Sequence, residues 1–151
     1  MSDSYVTHRY ALLRRTAFLM CGDWARADDL ARTTLARVLT EPDIDDPDLW
    51  AYADLMAAFK KPHGRREHVF VAPDQESGAG DPMHTILVLD ALRGLSPRCR
   101  AVLVLRFFCG LAIDETADTL DLDDSRVLAF EAEGLGAFAT LMETAQPAAA
   151  L

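Results

Sequence analysis

The sequence predicts an all-helical protein built from two small helical domains. Half of its 151 residues are hydrophobic but only 8% are aromatic, and few runs are typical of strands. Apolar residues instead recur at helical spacings in successive segments. A stretch rich in Pro, Gly and acids then interrupts this pattern. We therefore predict a helical domain at 1–66, an acidic linker at 67–82, a second helical domain at 83–145 and a disordered tail at 146–151.

The first domain contains three predicted helices. The first begins after Ser4 and ends at Gly22. Asp23 is placed to cap the second, which Pro42 ends. Asp46-Pro47 supplies a cap and a first-turn proline for the third. We expect these helices to bury Val6, Tyr10, Leu13, Ala17 and Met20, then Ala27, Leu30, Thr34, Leu35 and Val38, then some of Leu49, Trp50, Ala53, Met56 and Phe59.

The second domain reads as helices separated by tight turns. A helix over about 83–93 precedes one that begins at Ser96-Pro97 and ends at Gly110. A short helix over 113–120 leads into a turn around Asp121, and Asp123 is placed to cap the last helix. This order predicts a helix-turn-helix. The expected core residues are Ile86, Leu89, Leu92, Val102, Leu103 and Phe107.

The charge of the last helix conflicts with a DNA-reading role. The chain has a net charge of −9. Residues 125–138 carry one base, Arg126, and two acids, Glu131 and Glu133. Cationic side chains supply most of the affinity for duplex DNA. We therefore predict that this helix reads DNA weakly or not at all.

Other function classes have little support in the sequence. Cys21, Cys99 and Cys109 have no metal-ligand spacing with each other or with a histidine, and their odd count favours a reducing compartment. No catalytic triad or Gly-rich phosphate loop is legible. No signal peptide or membrane-spanning run is visible. We expect a soluble, cytoplasmic protein that is not an enzyme and has no cofactor or metal.

Two segments resemble a known family. YALLRRTAFLMCGDWARADDLARTTLARV (10–38) and DALRGLSPRCRAVLVLRFFCGLAIDETADTL (90–120) are similar to the extracytoplasmic-function (group four) bacterial sigma factors of the actinobacterial type. The similarity covers most of residues 8–138. It implies domains like sigma regions two and four, with RNA polymerase core as partner. The second segment carries the more specific match, at Pro97, Arg98, Arg100, Ala101, Val102, Leu105, Arg106, Glu115, Ala117 and Leu120.

The resemblance also implies functional residues. Those on the second predicted helix correspond to the polymerase-docking surface, although a solvated helical face is the alternative. The candidate docking residues are Asp28, Asp29, Leu30 and Arg32. Cations in both halves are candidate nucleic-acid contacts, and an ordinary helix end is the alternative for the first four. These cations are Lys60, Lys61, Arg65, Arg66, Arg98, Arg100 and Arg126.

The last helix departs from the family pattern. Asp121 and Asp123 stand where the family usually has a turn glycine and a capping serine. Three cationic positions are replaced, and a position that the family buries has become acidic. The replacements are Leu128 for lysine, Phe130 and Glu133 for arginines, and Glu131 for leucine.

Three functions are compatible with this degenerate recognition helix. The first is a sigma-factor-like regulator that docks on RNA polymerase but has weakened or lost reading of the upstream promoter element. The second is a working sigma factor that directs promoter-specific initiation. The third is a sigma mimic that acts only through protein binding, with an anti-sigma or other regulatory protein as partner. Leu128 and Phe130 are the candidate protein interface.

Overall fold

The computed structural model describes residues 3–60 and 82–145. Within these ranges the chain is helical and contains no strand, which confirms the predicted fold class. The first half forms α1 (Asp3–Cys21), α2 (Trp24–Thr40) and α3 (Pro47–Lys60). Gly22 ends α1 with a positive φ of 71°. The Asp23 carboxylate caps α2 by accepting bonds from the Ala25 and Arg26 amides, at 2.9 and 3.3 Å.

The second half forms α4 (Pro82–Arg93), α5 (Pro97–Leu103), α6 (Ile113–Leu120) and α7 (Asp124–Ala145). Ser96 caps α5 by accepting from the Cys99 amide at 3.3 Å. A π-helical turn, Val104–Phe108, continues α5 without a break. The predicted helix start at Ser96-Pro97 is therefore confirmed, but the last turn of this helix is not α-helical.

The π-helical turn corrects the prediction for Phe107. The Cys109 amide donates to the Val104 carbonyl at 3.0 Å, an i→i+5 bond that accommodates one more residue than an α-turn. Side chains beyond it are rotated away from the positions that α-helical spacing predicts. Phe107 was predicted to lie in the core but is 53% exposed.

The third helix also buries a different face from the one expected. Met56 is buried as predicted, but Tyr52 and Leu55 fill the core beside it. Leu49, Trp50 and Phe59 lie at the edge of the core, packed against its buried members. The error arises because α3 is apolar on most of its circumference, which leaves several faces similar in hydrophobicity.

Residues from both halves share one hydrophobic core. α1 packs on α4 and on the π-helical turn, and α3 packs on α6. Polar contacts cross the same junction. The Thr16 hydroxyl lies 3.4 Å from the Cys109 thiol, and the Lys60 ammonium donates to the Leu120 carbonyl at 3.4 Å. The two helical groups are therefore in direct contact.

Several predictions fall on residues outside the described ranges. They concern the tail at 146–151, nearly all of the linker at 67–82 and the cations Lys61, Arg65 and Arg66. Among the helices that are described, none has both the length and the apolar character needed to cross a bilayer.

Candidate nucleic-acid interface

The helix-turn-helix is formed by α6, a tight turn and α7. The Glu115 carboxylate accepts from the Ala112 amide at 2.9 Å and so caps the start of α6. Asp121 ends α6 in the left-handed conformation, with φ 56° and ψ 50°. Glycine adopts this conformation at least cost, and aspartate is one of the few other residues that tolerate it. The replacement of the family's glycine by Asp121 therefore preserves the turn.

Asp123 caps the helix that follows. Its carboxylate accepts from the Arg126 amide at 2.9 Å and from the Ser125 hydroxyl at 2.8 Å. The Ser125 hydrogen bond, and then that of the Arg126 amide, lower the pKa of the Asp123 carboxyl. The charged form is the better acceptor at a helix N-terminus. The predicted cap is confirmed, and aspartate takes the role that the resemblance gives to serine.

Two small or buried residues set the position of α7 against the domain. Val127 is fully buried. At Gly134, an added Cβ would lie 3.2 Å from the Leu103 side chain and 3.3 Å from that of Cys99. The glycine lets α7 approach α5 closely, so the recognition helix keeps a defined position.

The surface of this helix-turn-helix is strongly acidic. Between residues 113 and 145 the sequence has nine acidic side chains and a single basic one, Arg126. Five of the acids are exposed on α6, in the turn and at the start of α7. These are Asp114, Asp118, Asp121, Asp123 and Asp124. Like charge disfavours the approach of a phosphate backbone.

Arg126 and Arg98 converge on one aromatic ring. The guanidinium carbon of Arg126 lies 5.5 Å from the centre of the Phe130 ring, and that of Arg98 lies 5.9 Å from it. Both arginines are exposed and Phe130 is half-buried. Two cations from different helices therefore lie near the Phe130 ring and form one small basic surface patch.

Arg100 points into the protein. Its guanidinium donates to four backbone carbonyls, those of Leu92 at 2.8 Å, Met20 at 2.8 Å, Leu95 at 3.1 Å and Arg93 at 3.2 Å. Burial, together with the charge of Arg93, lowers the pKa of Arg100. That Arg100 contacts nucleic acid stays a prediction, and four of its five guanidinium N–H donors are used inside the protein.

Glu131 is not a free anion either. It accepts from the Arg106 guanidinium at 2.8 Å, and both side chains are largely buried. Arg106 also donates to the Leu111 carbonyl at 2.7 Å. Position 131 therefore holds an ion pair where the family buries leucine. No sequence signal linked these two residues, which are 25 positions apart.

The candidate docking residues on α2 have mixed environments. Asp28 pairs with Arg32 at 2.9 Å and lies 3.8 Å from Arg14. Leu30 packs against the edge of the core. Asp29 is exposed. Arg32 is exposed as well, but Asp28, Leu30 and Arg32 also have a role in packing or pairing.

The two residues of the candidate protein interface lie in different environments. Leu128 is 52% exposed, whereas Phe130 packs against the core with an arginine on either side. Leu135 is 44% exposed and was not predicted as part of this interface. The signal for it was present in the sequence, because Leu135 lies two turns after Leu128 on the same side of the helix.

The cysteines offer no chemistry in the described residues. Burial raises the pKa of the Cys109 thiol, which contacts Thr16. Desolvation, followed by the nearby Cys109, raises the pKa of Tyr52 to about 12. Both groups stay neutral at the junction between the halves. The described side chains also include no group of three or more that is arranged to hold a metal ion.

Comparison with known proteins finds a similarity within the second half of the chain. Residues 85–127 match the family model described as sigma-70, region 4. The match runs from α4 through the helix-turn-helix to Val127 and covers less than a third of the chain. This segment is therefore similar to the helix-turn-helix domain of sigma factors, which supports a sigma-factor-like transcription regulator. No curated protein matches the chain.

Proposed function

We propose that the protein is a sigma-factor-like regulator that docks on RNA polymerase and reads the upstream promoter element weakly or not at all. The observation that carries the proposal is the charge of the helix-turn-helix, with nine acids and one base over residues 113–145. RNA polymerase and promoter DNA are the partners that a region 4 domain implies. Such a regulator acts in the cytoplasm, where transcription takes place.

The backbone of this domain has the geometry of a helix-turn-helix, whereas its surface has few cations to bind DNA. The turn at Asp121, the cap at Asp123 and the close approach at Gly134 maintain the geometry of a DNA-reading helix. The family match ends at Val127, one residue before Leu128, where the resemblance places a lysine. A phosphate contact adds about 0.9 to the salt slope of duplex binding, and specific binders use about six to ten. Arg126 and Arg98 alone fall short of that number.

Restoring cations to α7 tests the weakened DNA reading. The double substitution Leu128→Lys and Glu133→Arg changes two exposed residues of α7. If both cations reach phosphates, the salt slope should rise by about 1.8 and affinity by at least about tenfold at low salt. The measurement is fluorescence anisotropy with a pool of random-sequence duplexes at two salt concentrations.

A matched control separates the effect of cations on α7 from the effect of net charge alone. Leu39→Lys with Glu41→Arg makes the same change in net charge at two exposed residues, one in α2 and one at its C-cap. This variant should gain little affinity. An equal gain in both variants, or tight and steeply salt-dependent binding of a defined duplex by the unmodified chain, would contradict the proposal. The second result would indicate a working sigma factor.

Polymerase docking is tested at Asp29. The substitution Asp29→Lys reverses an exposed charge without breaking the pair between Asp28 and Arg32. Binding to purified core RNA polymerase should weaken by about tenfold or more. Asp45→Lys reverses an exposed charge in the loop before α3 and should leave binding unchanged. If the unmodified chain does not bind core polymerase, the docking role is wrong.

A sigma mimic that acts through protein binding is the second candidate. It is favoured by the exposure of Leu128, since monomeric proteins seldom expose large apolar side chains together. It predicts binding to neither polymerase nor DNA, with tight binding to one regulatory protein through α7.

A further inference from the structure

The outer side of α7 carries an exposed apolar stripe. Leu128, Ala132, Leu135 and Ala139 follow each other at intervals of four, three and four residues and are all exposed. We call these four residues the α7 stripe. Alternating intervals of three and four place side chains in one line along a helix, which is the pattern that packs a second helix. Large and small residues alternate along the line.

An exposed aromatic ring contacts the ion pair at Glu131, which lies within one turn of the stripe. Glu131 falls between Leu128 and Leu135 on the helix, within one turn of each. Its partner Arg106 has its guanidinium carbon 5.7 Å from the centre of the Phe107 ring. Three exposed hydrophobic side chains therefore belong to residues that contact a member of this ion pair or lie within one helical turn of it. They are Phe107 at 53%, Leu128 at 52% and Leu135 at 44% exposure.

Apart from the Arg106–Glu131 ion pair, the charged residues at the two ends of the stripe are negative. Asp124 lies one turn before Leu128, and Glu143 lies one turn after Ala139. Both are exposed. The one cation of α7, Arg126, lies about 200° around the helix from Leu128 and faces Phe130. An occupant of the stripe therefore meets an acid at each end.

This charge pattern disfavours a second copy of the chain. In an antiparallel pair, the register that sets Leu128 against Ala139 and Leu135 against Ala132 also brings Asp124 opposite Glu143. A parallel pair brings identical acids together. Each chain also carries a net charge of −9, and like charges across an interface are destabilising.

We propose that the α7 stripe binds a cationic amphipathic helix of a partner protein. The partner's apolar residues, also spaced by three and four, pack between Leu128 and Leu135, and its Lys or Arg residues at the two ends pair with Asp124 and Glu143. The inference rests on the protein-binding role of α7 proposed above and names the chemistry of the partner. It requires neither polymerase nor DNA.

Two synthetic helical peptides test the inference with the full chain. Both carry the same Leu and Ala stripe; one has Lys at its ends and the other has Glu. Fluorescence anisotropy should show binding of the Lys peptide, weakened by added salt, and at least about tenfold weaker binding of the Glu peptide. The double substitution Leu128→Ser and Leu135→Ser should weaken binding of the Lys peptide by at least about tenfold.

A matched variant controls for lost hydrophobicity alone. Leu39→Ser removes a side chain of similar exposure, 44%, from α2 and should bind the Lys peptide normally. Asp124→Lys leaves the stripe intact but should reduce the preference for the Lys peptide. Circular dichroism checks that each variant is folded.

Several results would overturn the inference. The inference is wrong if the Lys peptide does not bind, if both peptides bind equally, or if Leu39→Ser weakens binding as much as the α7 variant does. Sedimentation that shows a dimer, dissociated by the α7 substitutions, would instead identify a second copy as the occupant. Because these assays contain no polymerase, their outcome is independent of the Asp29→Lys test of polymerase docking.

Discussion

The second half of the chain holds two pairs of arginines with different roles. Arg100 and Arg106 point inward and donate to backbone carbonyls and to Glu131. Arg98 and Arg126 are exposed and meet over Phe130. The inner pair maintains the fold, and the outer pair is available to a ligand. The comparison shows that a count of cations overstates the charge that a partner can reach.

The same comparison refines the argument about DNA. In the second half of the chain, the resemblance to sigma factors makes three arginines candidate contacts with a DNA duplex. These are Arg98, Arg100 and Arg126. In the structure Arg100 donates to four carbonyls inside the protein, so two of the three arginines are exposed, against five exposed acids on α6, in the turn and at the start of α7. Weakened duplex binding is therefore better supported by the placed side chains than by net charge.

The largest expected effect comes from the inner pair. Arg100→Met removes the donors of four backbone carbonyls, including that of Met20 on α1. Unsatisfied buried acceptors are costly, so we expect the free energy of unfolding to fall by on the order of 3 kcal/mol. Urea denaturation followed by circular dichroism measures this change.

The outer pair supplies the control for that experiment. Arg98→Met removes one exposed contact with Phe130 and should cost no more than about 1 kcal/mol. If the two variants lose similar stability, the distinction between inner and outer arginines is wrong.

A smaller effect is expected from the ion pair between Arg106 and Glu131. A double-mutant cycle with Arg106→Met and Glu131→Gln should give a coupling energy of about 1–2 kcal/mol, because both side chains are mostly buried. The pair Asp28–Arg32, one turn apart on α2 and with an exposed arginine, should give about 0.3–0.5 kcal/mol. Equal coupling in the two cycles would contradict the structural role of Arg106.

Local signals in the sequence predicted the helix limits well. Asp23, Ser96 and Asp123 each accept from an amide of the first helical turn, as residues of these types do at helix starts. Gly22 and Gly110 adopt positive φ where a helix ends. Such signals involve neighbours within a few residues, so sequence alone contains them.

Features that join distant residues were not predictable in the same way. The bond from Arg100 to the Met20 carbonyl spans 80 residues, and the one from Arg106 to Glu131 spans 25. Neither pair leaves a periodic pattern. The π-helical turn at Val104–Phe108 has no signature residue, and it moved Phe107 from the predicted core to the surface.

The smallest expected effect concerns an exposed acid whose role is internal. Asp123 caps α7, and its hydrogen bonds lower the pKa of its carboxyl. A depressed pKa in the folded state means that the cap stabilises the protein above the unfolded pKa. This stabilisation is lost as the pH falls through the folded-state pKa, which lies below the ordinary aspartate value of 3.8. Asp123→Ala should therefore lower the Tm at neutral pH, and its Tm should differ less from that of the unmodified chain in acid.

Asp123→Ser keeps a capping oxygen that does not titrate, and should retain most of the Tm at neutral pH. Thermal unfolding of the three proteins between neutral and acid pH measures both differences. A difference between Asp123→Ala and the unmodified chain that does not change with pH would show that the carboxylate charge has no part in the cap, and that Asp123 belongs with the acids that act only on the surface.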